Sequence, residues 1–178
     1  NQLCGVDTWG DGTYDASGIR ALAEALKLNV ALTSLDISRN YIGPELGMAM
    51  AEMLKVNAVM TSIDLSNNNL NAEAGKALAS ALHENAVMTS IDVGFNYLDE
   101  EAALGIVRAA RQHDRMTSLG LARCSIGPTC AKEIAEYVQG SAVLKQCDLR
   151  FNDGMDDEAT AALQDAVKSK DEFELLLS

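Results

Sequence analysis

Thr61–Met88, TSIDLSNNNLNAEAGKALASALHENAVM, decides how this chain is read, because it returns on both sides at a fixed spacing of 28 residues. Thr33–Met60 (TSLDISRNYIGPELGMAMAEMLKVNAVM), Thr89–Met116 (TSIDVGFNYLDEEAALGIVRAARQHDRM) and Thr117–Leu144 (TSLGLARCSIGPTCAKEIAEYVQGSAVL) are copies of it. Lys145–Ser178 is a fifth, with one extra residue after Asn152. Self-similarity at such a period signals a stacked repeat architecture.

Within a unit, Ser62-Ile63-Asp64-Leu65-Ser66 alternates with the period of a strand that buries one face. Ile63 and Leu65 are expected inside, and Ser62, Asp64 and Ser66 outside. After the turn, Ala74, Leu78, Ala81 and Leu82 have helical spacing. The same column reads Leu46, Met50, Met53, Leu54 in one neighbour and Cys130, Ile134, Tyr137, Val138 in another. Pro44 and Pro128 follow Gly43 and Gly127, at the place where Asn71, Asp99 and Asp156 stand in the other units. Proline at a first helical position sacrifices no hydrogen bond, and Asn or Asp before it caps free amides, so the helix start is marked five times. One strand and one helix cannot bury their own apolar faces; the units must stack on one another.

The columns Met60-x-x-Ile63-x-Leu65-x-x-Asn68-x-Leu70 resemble those of the leucine-rich repeat family. The unit length, with a helix in every copy, is similar to the ribonuclease-inhibitor-like subfamily. The resemblance covers nearly the whole chain. It implies an α/β leucine-rich repeat solenoid, a horseshoe with a concave parallel β-sheet and convex helices, in a family that mostly binds other macromolecules. Asn40, Asn68, Asn96 and Asn152 are expected at the turn leaving each strand, satisfying backbone groups there. Cys124 stands in that place in the fourth copy, a substitute the family pattern admits.

The organisation expected is a single domain, residues 1–178: a degenerate N-terminal cap repeat (1–32), repeats 33–60, 61–88, 89–116 and 117–144, and a last repeat with a C-terminal cap (145–178). In the cap repeat Ser17–Leu28 aligns as a helix with Leu22 and Leu26 on the core stripe, while Val6, Trp9 and Tyr14 only loosely follow the strand columns. Trp9 is expected as the lid of the first core layer. Asp7, Asp11 and Asp15 lack the spacing of a calcium loop. At the other end Phe173 and Leu176 are expected in the first two apolar columns of a further rung. Glu174–Leu177 would then be its strand, with Leu175 and Leu177 marking an edge that a next unit would cover.

Aromatic residues make up 4% of the chain and the net charge is −12. Acidic surface argues against nucleic acid, whose binding needs clustered Lys and Arg. No apolar run approaches 18 residues, so membrane insertion is not expected. Cys4, Cys124, Cys130 and Cys147 contain no C-x-x-C pair, and Cys130 and Cys147 fall in core columns. Buried free thiols and a reducing, cytoplasmic setting are expected. A start at Asn1 rather than Met is what a piece of a larger chain or complex would show.

No catalytic arrangement is visible. His83 aligns with exposed helix positions and His113 with the helix-terminal Asn57 and Asn85. Phosphate loops, metal clusters and nucleophile motifs are missing, and neither an enzyme nor a cofactor is expected. Function is therefore sought on the outward strand positions. The central column reads Asp36, Asp64, Asp92, Gly120, Asp148, and the rim column Arg39, Asn67, Phe95, Arg123, Phe151, with Tyr41 and Tyr97 just beyond. Strands about 4.8 Å apart make the aspartates a ladder of like charge, each pair repelling by roughly 3 kcal/mol at an effective dielectric near 20 and by 1 kcal/mol or less when exposed. Basic groups of a partner would relieve it. Aromatic and arginine side chains are the residue types that anchor protein interfaces. The function expected is a non-catalytic scaffold binding a protein partner, one that a basic surface would suit, through the concave face and its rim. The alternative is a regulator of a small GTPase, since the repeats also resemble those of Ran GTPase-activating proteins.

Overall fold

The computed structural model describes residues 12–177. Along them run α1 (Ser17–Leu28), β1 (Ser34–Asp36), α2 (Pro44–Val56), β2 (Ser62–Asp64), α3 (Ala72–Glu84) and β3 (Ser90–Asp92). They are followed by α4 (Glu100–Arg111), β4 (Ser118–Gly120), α5 (Pro128–Gly140), β5 (Gln146–Asp148), α6 (Asp157–Val167) and β6 (Glu174–Leu176). The strands form one open parallel sheet in chain order, with helices on its other side. Pairing follows the repeat: Ile63 lies opposite Leu35 on one side and Ile91 on the other.

The alternation expected in the strands holds for the inward positions, with Ile63 and Leu65 buried, and all twelve helix-column residues named above are buried too. Ser66 lines the concave side with Asp64, as expected, yet is only 8% exposed. The helix starts fall where the sequence marks them. Asn71, Asp99 and Asp156 each accept the amide three residues on, at 3.0, 2.8 and 2.7 Å, and Pro44 and Pro128 open α2 and α5, which have no side-chain cap.

Two ladders of buried side-chain amides tie rung to rung. Asn68 donates to Ile37 O of the preceding rung at 2.8 Å and to Leu65 O of its own at 3.1 Å, while its Oδ1 accepts Asn40 N at 3.1 Å. Asn96 and Asn152 repeat this pattern one and three rungs on. Asn57 and Asn85 build a second ladder at the helix C-termini. Asn85 donates to Leu54 O at 2.8 Å and to Asn57 O at 3.1 Å, and accepts Val87 N and Met88 N. Side-chain size sets how near the helices come. A Cβ on Gly47 would stand 2.6 Å from the Ala74 methyl, so that glycine lets α2 and α3 close together.

The last rung corrects one expectation. β6 pairs Leu175 with Cys147 and Leu176 with Asp148, so Leu175 rather than Leu176 continues the inward column. Phe173, Leu175 and Leu177 are partly buried against the core. The extra residue after Asn152 is absorbed before the strand, where α6 runs 11 residues against 13 in α5. Strand spacing therefore stays at 28. In a strand, a shift of one residue exchanges the two faces. The expected Trp9 lid lies outside the described residues, as do Cys4, Val6, Asp7 and Asp11.

Candidate functional site: the concave sheet face and its rim

Four of the six strands end in an aspartate that turns the chain. Asp36 Oδ1 accepts Ser38 N at 2.9 Å, Asp64 Oδ1 accepts Ser66 N at 2.9 Å, Asp92 Oδ1 accepts Gly94 N at 2.7 Å, and Asp148 Oδ1 accepts Arg150 N at 3.1 Å. The ladder thus has a local structural use, holding the amide two residues on as an Asx turn does. The turn that follows places Arg39, Asn67, Phe95, Arg123 and Phe151 in the left-handed region, with φ of 57°, 56°, 56°, 51° and 60°. Of these only Asn suits that region well; for other side chains it costs roughly 1–2 kcal/mol. Tyr41 also has positive φ, whereas Tyr97 forms a bridge with Asn71 instead.

The arrangement brings the expected site residues together in two adjoining hollows. A shallow trough of about 500 Å³ is lined by Asp36, Asp64, Asp92 and Asp148 with Arg39 and Phe95. A cleft of about 160 Å³ beside it is lined by Tyr41, Tyr97, Arg123 and Phe95, with Asn67 shared between the two. Phe151 joins them through its ring, whose centroid lies 5.5 Å from that of Phe95 with the planes tilted by 56°. Tyr97 is 73% exposed and Phe151 55%, so neither folds back onto the core. Phe95 is half-buried beneath them.

The acids are not equivalent. Asp148 is already paired within the chain, since Arg150 Nε reaches its Oδ1 at 3.0 Å and Nη2 its Oδ2 at 2.7 Å. Asp92 leans into the space left by Gly120, where a Cβ would stand 2.3 Å from its carboxyl carbon. Burial there pushes its carboxyl up to about 6, with Asp64 and Asp148 adding to the rise and the Gly94 amide and Arg150 opposing it. Asp36 goes the other way, held below the usual carboxylate range chiefly by the Ser38 hydroxyl. Burial, more than ladder repulsion, therefore sets Asp92 apart, a distinction that residue columns alone do not make. Arg150, whose partner sequence reasoning left unassigned, sits two places beyond Asp148, and that spacing is the signal that could have found the pair.

The remaining titratable groups take structural places. Cys124, Cys130 and Cys147 are buried free thiols, each pushed above the usual thiol range by burial. A ring nitrogen of the half-buried His113 bonds Leu82 O, the place an Asn holds in neighbouring units. Among the described residues no group of three His, Cys, Asp or Glu side chains is placed to hold a metal ion. No described helix is long and apolar enough to cross a membrane.

Comparison with known proteins bears on the fold. A family model for the Leucine Rich repeat matches residues 29–51 and 56–79. Together with the stacked parallel rungs, that match decides the architecture. The fold is a leucine-rich repeat solenoid. A comparison with curated proteins gave no match. Among solved structures, leiomodin-1 actin-binding site 2 is similar at 21% identity and a TM-score of 0.64, over 82% of this chain and 84% of that one. The C-terminal domain of tropomodulin from Caenorhabditis elegans is similar at 13% identity and a TM-score of 0.72, over 84% and 91%. At these identities the likeness is one of fold.

Proposed function

We propose that this leucine-rich repeat chain is a non-catalytic platform that binds a protein partner through its concave trough and aromatic rim. The observation that carries the reading is the rim column. Arg39, Phe95, Arg123 and Phe151 hold left-handed conformations that Asn67 adopts at much lower cost. Bulky side chains kept where the backbone disfavours them point to a use outside the fold. The partner would set its own apolar groups against Tyr41, Tyr97, Phe95 and Phe151 and basic groups against Asp36, Asp64 and Asp92, with Asp148 already occupied. Nucleic acid and membrane surfaces do not suit a trough of this charge. The setting proposed is cytoplasmic. The 28-residue unit supports placement in the ribonuclease-inhibitor-like branch, as one domain with the repeat boundaries given above, part of a larger chain or complex.

Actin is the first partner to test, because one similar structure is named as an actin-binding site. Neither similar structure is named for a GTPase, and the GTPase-regulator alternative is not carried forward. The test is co-sedimentation of the chain with filamentous actin, and fluorescence anisotropy with monomeric actin, comparing native protein with a Phe95→Asn, Arg123→Asn, Phe151→Asn variant. Asn relieves roughly 1–2 kcal/mol of backbone cost at each site, while the lost ring contact costs about 0.5–1.5 kcal/mol. The variant should therefore fold as well as the native chain, and at least a tenfold loss of binding is expected. Undiminished binding by the variant would refute the rim as the contact surface, and no binding by either would remove actin as the partner.

A further inference from the structure

The buried side-chain amides that tie rung to rung are replaced at one place, in both ladders. Where Asn68, Asn96 and Asn152 stand, the fourth described rung has Cys124. Elsewhere an Asn Oδ1 accepts two amides of the preceding rung, as Asn96 does with Asn68 N at 3.0 Å and Leu70 N at 2.9 Å. Cys124 offers only a thiol sulfur, to which the Asn96 amide donates. Its own bonds to Val93 O and Ala122 O are long, at 3.4 and 3.5 Å. Sulfur is a weak donor and a weak acceptor, so this rung is tied less firmly to the one before it.

The second ladder changes at the same rung, where the Tyr137 hydroxyl rather than an Asn amide meets the carbonyl of the preceding helix. Asn57 and Asn85 reach back to the preceding helix, but Ser141 in their column is short and its hydroxyl is taken up by Val143 N and Leu144 N of its own turn. The helices also separate here. Tyr137 stands in the column held by Met53, Ala81, Ala109 and Ala166 in the other helices. It is 4% exposed and reaches Ala110 O with its hydroxyl at 3.2 Å. With that ring between them, α4 and α5 pack least closely of all neighbouring helices. A cleft of about 420 Å³ opens at their C-terminal ends, lined by Arg111, His113, Glu136, Tyr137 and Ser141 among others.

What still crosses this line is a mixture of exposed ion pairs, part-buried bonds, the strand ladder and the Phe95–Phe151 ring contact. Arg108 pairs with Glu133 and Arg111 with Glu136, while Glu100 accepts Cys130 N at 3.3 Å and Ser125 donates to Leu98 O at 3.0 Å. The strand ladder continues through Val93 N to Gly120 O at 3.0 Å and Phe95 N to Ala122 O at 2.6 Å. Exposed ion pairs are weak ties and salt screens them.

We propose that the line between residues 89–116 and 117–144 is the hinge of the array. Blocks 12–116 and 117–177 open and close about it, and the curvature of the concave face changes with them, because Phe95 and Phe151 lie on opposite sides. The inference does not depend on which partner binds. In an array held uniformly by nearest neighbours, opening spreads from the ends, so the central pair β3 and β4 would be the best protected. A hinge there reverses the order.

The test is amide hydrogen exchange on the whole chain. The proposal expects Val93 N and Phe95 N, which bond across the hinge, to exchange at least tenfold faster than Leu65 N and Asn67 N one rung earlier or Leu121 N and Arg123 N one rung later. Central amides that exchange as slowly as their neighbours, or slower, overturn it. Cys124→Asn supplies the missing amide oxygen and should slow Val93 and Phe95 at least fivefold while leaving Ile37 and Arg39 unchanged. Unaltered rates in that variant also count against the hinge as assigned.

Discussion

Asn68→Ala tests the amide ladder where it is most complete. The side chain is fully buried. Its Nδ2 donates to Ile37 O at 2.8 Å, Leu65 O at 3.1 Å and Ser66 O at 3.1 Å, and its Oδ1 accepts Asn40 N at 3.1 Å and Ile42 N at 3.4 Å. The three carbonyls keep other partners, Ile37 O in Asn40 Nδ2, Leu65 O in Asn96 Nδ2 and Ser66 O in Arg39 N, so the two backbone amides are the groups left bare. Each buried group left without a partner costs about 1–3 kcal/mol, which gives a total of about 2–6 kcal/mol. For a chain of 150–250 residues this corresponds to a fall in Tm of about 4–24 °C. Circular-dichroism melting measures it directly. Asn40→Ala is the internal control: among the described residues Asn40 Oδ1 has no partner, so its loss removes only donated bonds and should cost less than half as much. Equal melting of the Asn68→Ala variant and native protein, or an equal penalty at both positions, would refute the claim that these amides hold the rungs together.

Four further outcomes follow from the packing and the trough. Because the Asp92 carboxyl is raised to about 6, the folded state binds more protons than the unfolded one between about pH 4 and 6. Its contribution is therefore fully present below pH 4 and lost as pH rises through 6, on the order of 2–3 kcal/mol by pH 7. Asp92→Asn should be more stable than native protein at pH 7 and indistinguishable from it at pH 3.5, measured by urea unfolding at each pH. Gly47→Ala would set a methyl 2.6 Å from the Ala74 side chain and should cost about 1–3 kcal/mol by thermal melting. Leu65→Ala, at a fully buried central position, should cost about 2–5 kcal/mol and lower hydrogen-exchange protection across the array. Phe173→Ala should expose amides of the last rung alone.

The period and its columns are enough to place every strand from β1 to β5 and every helix from α1 to α6, because apolar spacing and caps are local and repeat five times. The last rung is the exception. The extra residue after Asn152 leaves two alignments for β6, and only the backbone pairing of Leu175 with Cys147 decides between them. On the concave face, all ten side chains singled out by column come together in the trough, the cleft and the ring pair. Their inequality was not legible. That Asp92 is buried follows from the missing side chain at Gly120, and that Asp148 is satisfied follows from the reach of Arg150; both depend on how side chains cross between rungs. The strain at the rim lies in φ, which residue type reveals only by contrast with Asn67. Likewise Asn57 and Asn85 read as ordinary helix ends until the helices are stacked and their amides meet the preceding rung.

The central claim, that the rim of this leucine-rich repeat solenoid is a protein-binding surface, is tested most directly by affinity capture from extract of the source cells. Native chain is compared with the Phe95→Asn, Arg123→Asn, Phe151→Asn variant, and the bound proteins are identified by mass spectrometry and quantified. The account predicts at least one protein retained by the native chain and lost from the equally stable variant. The same set of proteins captured in equal amounts by both would contradict it.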